Sequence, residues 1–404
     1  MRSEWKRKRL DEIIDFAPKE ILKRDTLAKK ISMDKLPNFA RKINGFEIEM
    51  FKSGTKFRNG DTLMARITPC LENGKTAIVD ILDKDEVGYG STEFFVLRAK
   101  EGISDPLFIY YLSISEEIRN IAIASMTGTS GRQRAQKEAI LEYEMAIPTL
   151  TEQKIMSRIL GNLDSKIELN NQIINTLEET ATTLFNHWFI DFEFPNKNGN
   201  PYKLNGGKMI ESELGEIPEG WEVSSLKNIT EIIMGQSPKG TSYNNENIGL
   251  PLINGASDFK NGFVNPKKYT TEPKKVTKKA DIIFGVRATI GNPTIVQQEY
   301  AIGRGAGIAR VIDNHYQEFV FLLLEEMFKY FANTGSGSVY INISKNDFEN
   351  YKFVSPSFEV ILMFHESVMS IFELIANKRS EIESLKELRD TLLPKLLSGE
   401  IELE

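Results

Sequence analysis

A single cysteine, Cys70, excludes an internal disulfide framework and any multi-cysteine metal site, and it suits a reducing compartment. Histidine is nearly as scarce. His187, His315 and His365 are scattered along the chain, a poor start for a metal centre or a catalytic triad. No apolar run approaches the roughly 18 residues that span a bilayer, so no membrane segment is expected. The basic opening MRSEWKRKRLDEII lacks the apolar stretch and small-residue cleavage site of a secretory signal, and cytoplasmic residence is expected. An excess of positive charge is also missing. The net charge of -6 argues at first sight against a nucleic-acid partner.

The average conceals a division along the chain. Residues 1–60 hold 16 Lys/Arg against 9 Asp/Glu. Residues 260–279 carry Lys260, Lys267, Lys268, Lys274, Lys275, Lys278 and Lys279 against Glu272 alone. From 357 to 404 the balance reverses, with 10 acidic and 5 basic residues, so that stretch is a poor candidate for lying along phosphates.

What the sequence does contain is a repeat. Leu160, Leu163, Ile167, Ile174, Leu177, Ala181, Leu184 and Trp188 fall on alternating three- and four-residue steps, interrupted only at Asn170. The same spacing returns 208 residues later as Val368, Ile371, Ile375, Ile382, Leu385, Arg389, Leu392 and Leu396, interrupted at Lys378. Both are a/d seams of amphipathic helices too short for a fibre, and each has an obvious partner in its copy. The seams predict an antiparallel pair about a pseudo-two-fold axis.

The segments before the helices repeat as well. Trp5 and Leu10 answer Trp221 and Leu226; Asp61-Thr-Leu-Met-Ala-Arg66 answers Asp281-Ile-Ile-Phe-Gly-Val-Arg287 with one residue of slippage; Thr127-Gly-Thr-Ser answers Thr334-Gly-Ser-Gly; Pro148 answers Pro356. Short apolar runs at 62–67, 76–81 and 94–97 read as strands, 105–124 has helical spacing, and Thr151 with Glu152 and Gln153 opens the long helix. The expected organisation is α+β, with a mixed α/β domain over 1–150, a helix over 151–190, an exposed linker over 191–216, a second domain over 217–356 and a second helix over 357–404. Pro394 predicts that the second helix stops or kinks near Leu393.

Catalytic chemistry is mostly not found. Asn73-Gly-Lys-Thr76 resembles the end of a phosphate loop, but Pro69 occupies the required glycine position, and a turn is expected. Gly303-Arg-Gly-Ala-Gly307 is read as a tight strand-associated turn, opposite the region of residues 91–94 in the first copy. No Pro-Pro-aromatic tetrapeptide of the amino-methyltransferase kind and no nuclease carboxylate–lysine set is present, so no catalytic residue and no metal ligand is assigned. Three binding candidates remain. The lysines Lys267, Lys268, Lys274, Lys275, Lys278 and Lys279 either contact DNA or form a solvated face. Arg66 and Arg287 suit bidentate contacts with guanine or phosphate, or internal ion pairs. The loops with Thr127, Ser130, Arg132 and Arg134, and with Thr334, Ser336 and Ser338, offer backbone N–H groups and hydroxyls to an anion, or merely connect.

In this order the parts resemble the specificity subunit of a Type I restriction-modification system. The resemblance rests on the two-copy layout, the Gly60-Asp61 and Ala280-Asp281 strand starts, the Thr-Gly-Ser/Thr loops, Pro148 with Glu152-Gln153, Asp191-Phe-Glu-Phe-Pro195 with Gly206-Gly-Lys-Met209, Glu213-Leu-Gly-Glu-Ile-Pro-Glu-Gly-Trp221 and Leu392-Leu-Pro-Lys-Leu-Leu-Ser-Gly399. The second copy departs from it, reading Ser-Phe-Glu-Val after Pro356. The resemblance implies two target recognition domains, each reading one half of a split sequence in double-stranded DNA and held apart by the helices. It implies two modification subunits that bring S-adenosylmethionine and methylate adenine, and restriction subunits that bring ATP, magnesium and cleavage, with no cofactor on this chain. The rival classes are a stand-alone modification enzyme, which needs its own cofactor loop, and a structural coiled-coil protein, which needs no basic globular segments.

Overall fold

The computed structural model describes residues 5–286, 291–334 and 344–403, and of Asn333 and Thr334 only the backbone. The chain is α+β and divides into two compact units, residues 1–170 with 381–404, and residues 171–380. Each unit therefore owns a mixed domain and a segment of each long helix.

In the first unit the helices begin where side chains can satisfy free N–H groups. Asp105 caps α1 (Pro106–Ile114), accepting from the N–H groups of Leu107 and Phe108, with Pro106 in the first turn. The expected single helix over 105–124 is two, because Ser115 turns extended and caps α2 (Glu116–Ala124). A short α3 (Lys137–Leu141) precedes the strand Glu144–Ile147. The long α4 runs from Leu150 to Phe185. Its cap is Thr149 rather than Thr151: the Thr149 hydroxyl accepts from the Glu152 N–H at 3.3 Å, and the Glu152 carboxylate accepts from the Thr149 N–H at 2.9 Å. Thr-x-x-Glu is the reciprocal arrangement that a capping box requires.

Two four-stranded sheets carry the first domain. One runs Ile14–Phe16, Phe94–Ala99, Thr62–Ala65, Thr76–Ile78, all antiparallel. The other runs Glu47–Met50, Leu27–Ile31, Gly88–Gly90, Thr55–Phe57. The strand Lys6–Arg9 pairs with Glu144–Ile147, tying the start of the domain to its end. Asn73 to Thr76 forms the expected turn, with Gly74 at positive φ.

The second unit repeats this wiring. Glu222–Ser225 pairs with Lys352–Ser355, and Leu226 donates to Tyr351 as Leu10 donates to Tyr143. Its seven-stranded sheet is built around the strand Ala301–Val311, which pairs with Thr230–Met234, Ile282–Gly285 and, in parallel, Leu250–Gly255. The stretch read as a turn at residues 303–307 lies inside this strand. Neighbouring backbone presses close there: a Cβ at Gly305 would overlap the Asn254 carbonyl and one at Gly235 the carbonyl of Gly303, while one at Gly303 would meet the Asn254 side chain. Two more helices follow, α5 (Gln317–Thr334) and α6 (Lys345–Glu349). The segment at 191–216 is less exposed than its polar composition suggests. Phe194 is buried and stacks on Trp221 with ring centroids 4.7 Å apart, and Met209–Ser212 pairs with Gly215–Pro218.

The second long helix, α7, spans Phe358–Ser398 and passes through Pro394 without stopping. Proline forfeits one hydrogen bond there, but Leu393 and Leu396 on either side are buried in the core of the first unit, so packing carries the last turn. Inside each unit the two helix segments run antiparallel. In the first, Leu160 shares a core with Leu393 and Leu396, Asp164 meets Arg389 at 2.9 Å, and Lys166 meets Glu381 at 3.4 Å. In the second, Glu178 binds Arg379, and Phe185 and Trp188 pack on Phe364. In both, numbers rise along α4 as they fall along α7.

The seam residues divide by heptad position. Leu160, Ile167, Ile174 and Ala181 are buried, as are Val368, Ile375, Ile382 and Arg389, while Leu163, Leu177, Leu184, Ile371, Leu385 and Leu392 are half-buried. Asn170, which interrupts the stripe, is itself fully buried with neither amide atom bonded among the described residues.

Candidate nucleic-acid interface

One brace recurs in both domains and fixes the strand ends from which candidate residues project. A buried carboxylate needs partners for its oxygens. Asp61, 1% exposed, takes a two-pronged contact from Arg98 at 2.6 and 2.7 Å and a third bond from the Arg58 N–H at 2.8 Å. Asp281 repeats all three, with Arg310 at 2.9 and 2.7 Å and the Lys278 N–H at 2.6 Å. Gly60 and Ala280 before them both sit at positive φ. The paired aspartates raise the affinity of Arg98 and Arg310 for their protons, Arg98 against the opposing cost of burial and with Glu20 adding to it.

With the braces aligned, strand register matches the two domains residue for residue. Ala65 faces Phe94, and Gly285 faces Ala306. One step further the Arg66 N–H donates to the Glu93 carbonyl at 3.0 Å, and the Val286 N–H to the Gly305 carbonyl at 3.1 Å. The partner of Arg66 in the repeat is therefore the buried Val286, not Arg287, which lies outside the described residues together with Ser336 and Ser338.

Glu93 decides what the first-domain arginines can do. Arg134 contacts it through Nη2 at 2.7 Å and Nε at 2.9 Å, and Arg66 Nε stands 3.9 Å away while its guanidinium lies 5.1 Å over the Phe95 ring. The bonds from Arg134 hold the Glu93 carboxyl below the usual carboxylate range despite partial burial. So the internal ion pair is realised for Arg66 and for Arg134. Thr127 is exposed and exchanges backbone bonds with Arg134 at 3.1 and 2.9 Å, its hydroxyl accepting from Gln136 at 2.8 Å. Ser130 and Arg132 are exposed, and Arg132 makes no side-chain ion pair among the described residues.

The second domain presents cations differently. Lys267, Lys268, Lys274, Lys275, Lys278 and Lys279 are all exposed and form no ion pair among the described residues; Lys268 lies over the Tyr243 ring at 5.8 Å. The segment is anchored to the sheet, since Lys268–Thr270 pairs with Leu250–Leu252 and the Lys275 carbonyl accepts from the Ile302 N–H at 2.9 Å. Thr334 is the last residue of α5. The residue that sequence reasoning passed over is Arg304, exposed on the central strand, where the assumed turn had hidden it.

Two of the histidines come together, which their sequence positions did not suggest. The rings of His315 and His365 are 5.4 Å apart, each Nδ1 within hydrogen-bond distance of a carboxylate, Asp313 at 2.7 Å and Glu318 at 2.6 Å. Among the described residues no three His, Cys, Asp or Glu side chains are arranged to hold a metal, and no helix is long and apolar enough to cross a membrane.

A scaffold duplicated around one Asp–Arg brace, with exposed cations on a loop of one copy and a sheet-anchored segment of the other, defines a two-domain protein with surfaces suited to a polyanion. Residues 2–179 and 218–384 match the family described as type I restriction modification DNA specificity domain, and the chain belongs to that family. It is similar to the type I restriction enzyme HindI specificity subunit of Haemophilus influenzae, 27% identical over 85% of this chain and 87% of the relative. It is also similar to the MjaIX specificity subunit of Methanocaldococcus jannaschii, 29% identical over 76% of this chain and 71% of the relative. The fold resembles the crystal structure of the S subunit of a Type-I restriction-modification system from M. genitalium, at a TM-score of 0.58 and 16% identity, over 97% of this chain and 96% of that one.

Proposed function

We infer that this chain is the DNA-reading subunit of a Type I restriction-modification complex, with each recognition domain reading one half of a split site. The observation that carries the reading is the shared Asp–Arg brace beneath surfaces that have diverged: two copies of one scaffold, held alike, present different side chains, as two readers of different sequences require. The exposed lysines supply phosphate contacts, which position a duplex without reading it. Methyl transfer to adenine and DNA cleavage belong in this reading to partner chains in the cytoplasm, two modification subunits with S-adenosylmethionine, and restriction subunits with ATP and magnesium. This chain itself then needs no catalytic group.

The test is a domain exchange. Replacing residues 1–150 by those of another family member, assembling the hybrid with modification subunits and sequencing the methylated sites should change one half-sequence and preserve the other. Methyl transfer by a preparation of this chain proven free of other subunits would overturn the reading, as would a hybrid in which both halves change.

A further inference from the structure

We propose that Arg304 is a base-reading side chain of the second recognition domain, contacting a guanine in the major groove. The inference deepens the function proposed above and rests on it. Its ground is the exposure of this arginine between two glycines of the central strand. Gly303 and Gly305 flank it on the central strand; close backbone approach forbids a side chain at Gly305, as it does at the neighbouring Gly235, and at Gly303 one would meet the Asn254 side chain. Arg304 thus stands exposed between two glycines, with Ser237 beside it. Its own N–H donates to the Ser237 hydroxyl at 3.2 Å, with Nε a further 3.5 Å from the same oxygen, and no carboxylate pairs with it among the described residues.

The first domain shows what such pairing looks like. There the register positions of Gly303, Arg304 and Gly305 are held by Ser91, Thr92 and Glu93, and Glu93 engages two arginines. The second domain has a glycine where that carboxylate stands, so beyond the long Nε bond to Ser237 its guanidinium has no carboxylate to engage among the described residues. A planar fork matches the O6 and N7 acceptors of guanine, and a strand without neighbouring side chains can approach a groove edge closely. The cationic context is on the same sheet: Ile302, two residues before Arg304, is bonded to Lys275 of the lysine-rich segment. Lysines there would hold phosphates while Arg304 reads.

The test uses Arg304→Gln and Arg304→Lys in the full chain, assembled with modification subunits. The probes are a duplex carrying the site found by sequencing methylated DNA from cells with the unaltered chain, its single-pair variants, and an unrelated duplex. Arg304→Gln should weaken binding to the cognate duplex roughly ten- to a hundred-fold, abolish discrimination at one guanine-bearing pair in the half-site set by the second domain, and leave the unrelated duplex within about twofold. Arg304→Lys, which keeps the charge but not the fork, should keep non-specific binding and lose discrimination at the same pair. Equal loss on cognate and unrelated duplexes would make Arg304 a phosphate contact and overturn the proposal. So would unchanged binding, loss in the other half-site, or a second half-site without guanine. Failure of the unaltered complex to select any site would instead overturn the functional reading itself.

Discussion

At one register position the two recognition domains make opposite choices. Glu93 gathers Arg134 and Arg66 around a carboxylate, whereas Gly305 offers no side chain and Arg304 has no carboxylate partner among the described residues. Below that position the domains agree, down to the three bonds on Asp61 and Asp281. Duplication has kept what holds a strand end in place and varied what stands on it. Affinity and specificity can then change without disturbing the fold, because the brace and the reader are different residues.

The long helices show the same asymmetry. Asp164 and Arg389 are both buried, and Tyr111 donates to Asp164 at 2.6 Å. At the matching offset of 208 the second unit has Phe372 and Ala181, an apolar solution to the same packing problem. Asp164→Ala removes the acceptor of both Tyr111 and the buried Arg389, which keeps only the exposed Asp390 among the described residues, and should produce the largest effect, about 3–5 kcal/mol of lost stability in chemical denaturation. The double variant Asp164→Phe with Arg389→Ala imitates the second unit and should recover part of that loss. If the double variant is no more stable than the single one, the two units do not solve packing in interchangeable ways.

Next come the braces. Asp61→Ala and Asp281→Ala should each cost about 3 kcal/mol, since each removes the acceptor of a backbone N–H and of a two-pronged arginine contact, leaving Arg98 with Glu20 and Arg310 with Glu231. The comparison predicts matched losses; a difference of more than about 1 kcal/mol between them in urea midpoints would show that the shared geometry does not carry shared energy.

A third effect is confined to the second unit. Burial, reinforced by the negative charge of Glu178, pushes the Glu325 carboxyl up to about 7. A carboxyl whose folded value exceeds its unfolded one binds more protons in the folded state, so its contribution is fully present below about 4.5 and is lost as pH rises through about 7. Glu325→Gln should flatten the stability profile between those limits and raise the melting temperature at pH 8. An unchanged profile would mean that Glu325 ionises freely in the folded protein.

The two helices and the repeat were legible in the sequence because their cause is local, a 3.5-residue spacing and an offset that recurs. The brace was half legible. Asp61 and Asp281 stood out at strand starts, but Arg98 and Arg310 lie 37 and 29 residues away, and nothing local joins them. The glycines around Arg304 misled for the same reason. Glycine spacing reads as a turn when its cause is assumed to lie in φ, yet here the cause is a neighbouring strand. Period two puts Ile302, Arg304 and Ala306 on one face and glycines on the other, which leaves no apolar–polar alternation to reveal a strand. Arg66 was matched to Arg287 by residue type, and only hydrogen-bond register showed that Val286 occupies its place.

The smallest expected change tests the comparison most directly. Glu93→Gln removes the charge that holds Arg134 and Arg66 while nearly preserving shape. Arg134 is 43% exposed at the side chain and Glu93 23%, so the pair is partly solvated and its loss should cost at most about 1 kcal/mol of stability. For a duplex the first domain would now resemble the second, with arginines no longer neutralised from within. Binding to an unrelated duplex should rise a few-fold, and the slope of log affinity against log salt should steepen by about one for each arginine that reaches a phosphate. The wild-type protein carries its own control, because acid titrates the same group. Arg134 keeps the Glu93 carboxyl below its ordinary value, so the wild type should approach the Gln variant only as pH falls below the usual carboxylate range, and at neutral pH the two should differ. Identical salt slopes for wild type and Glu93→Gln, with both proteins folded, would show that Arg66 and Arg134 serve the loop alone and that the first domain reads DNA with other residues.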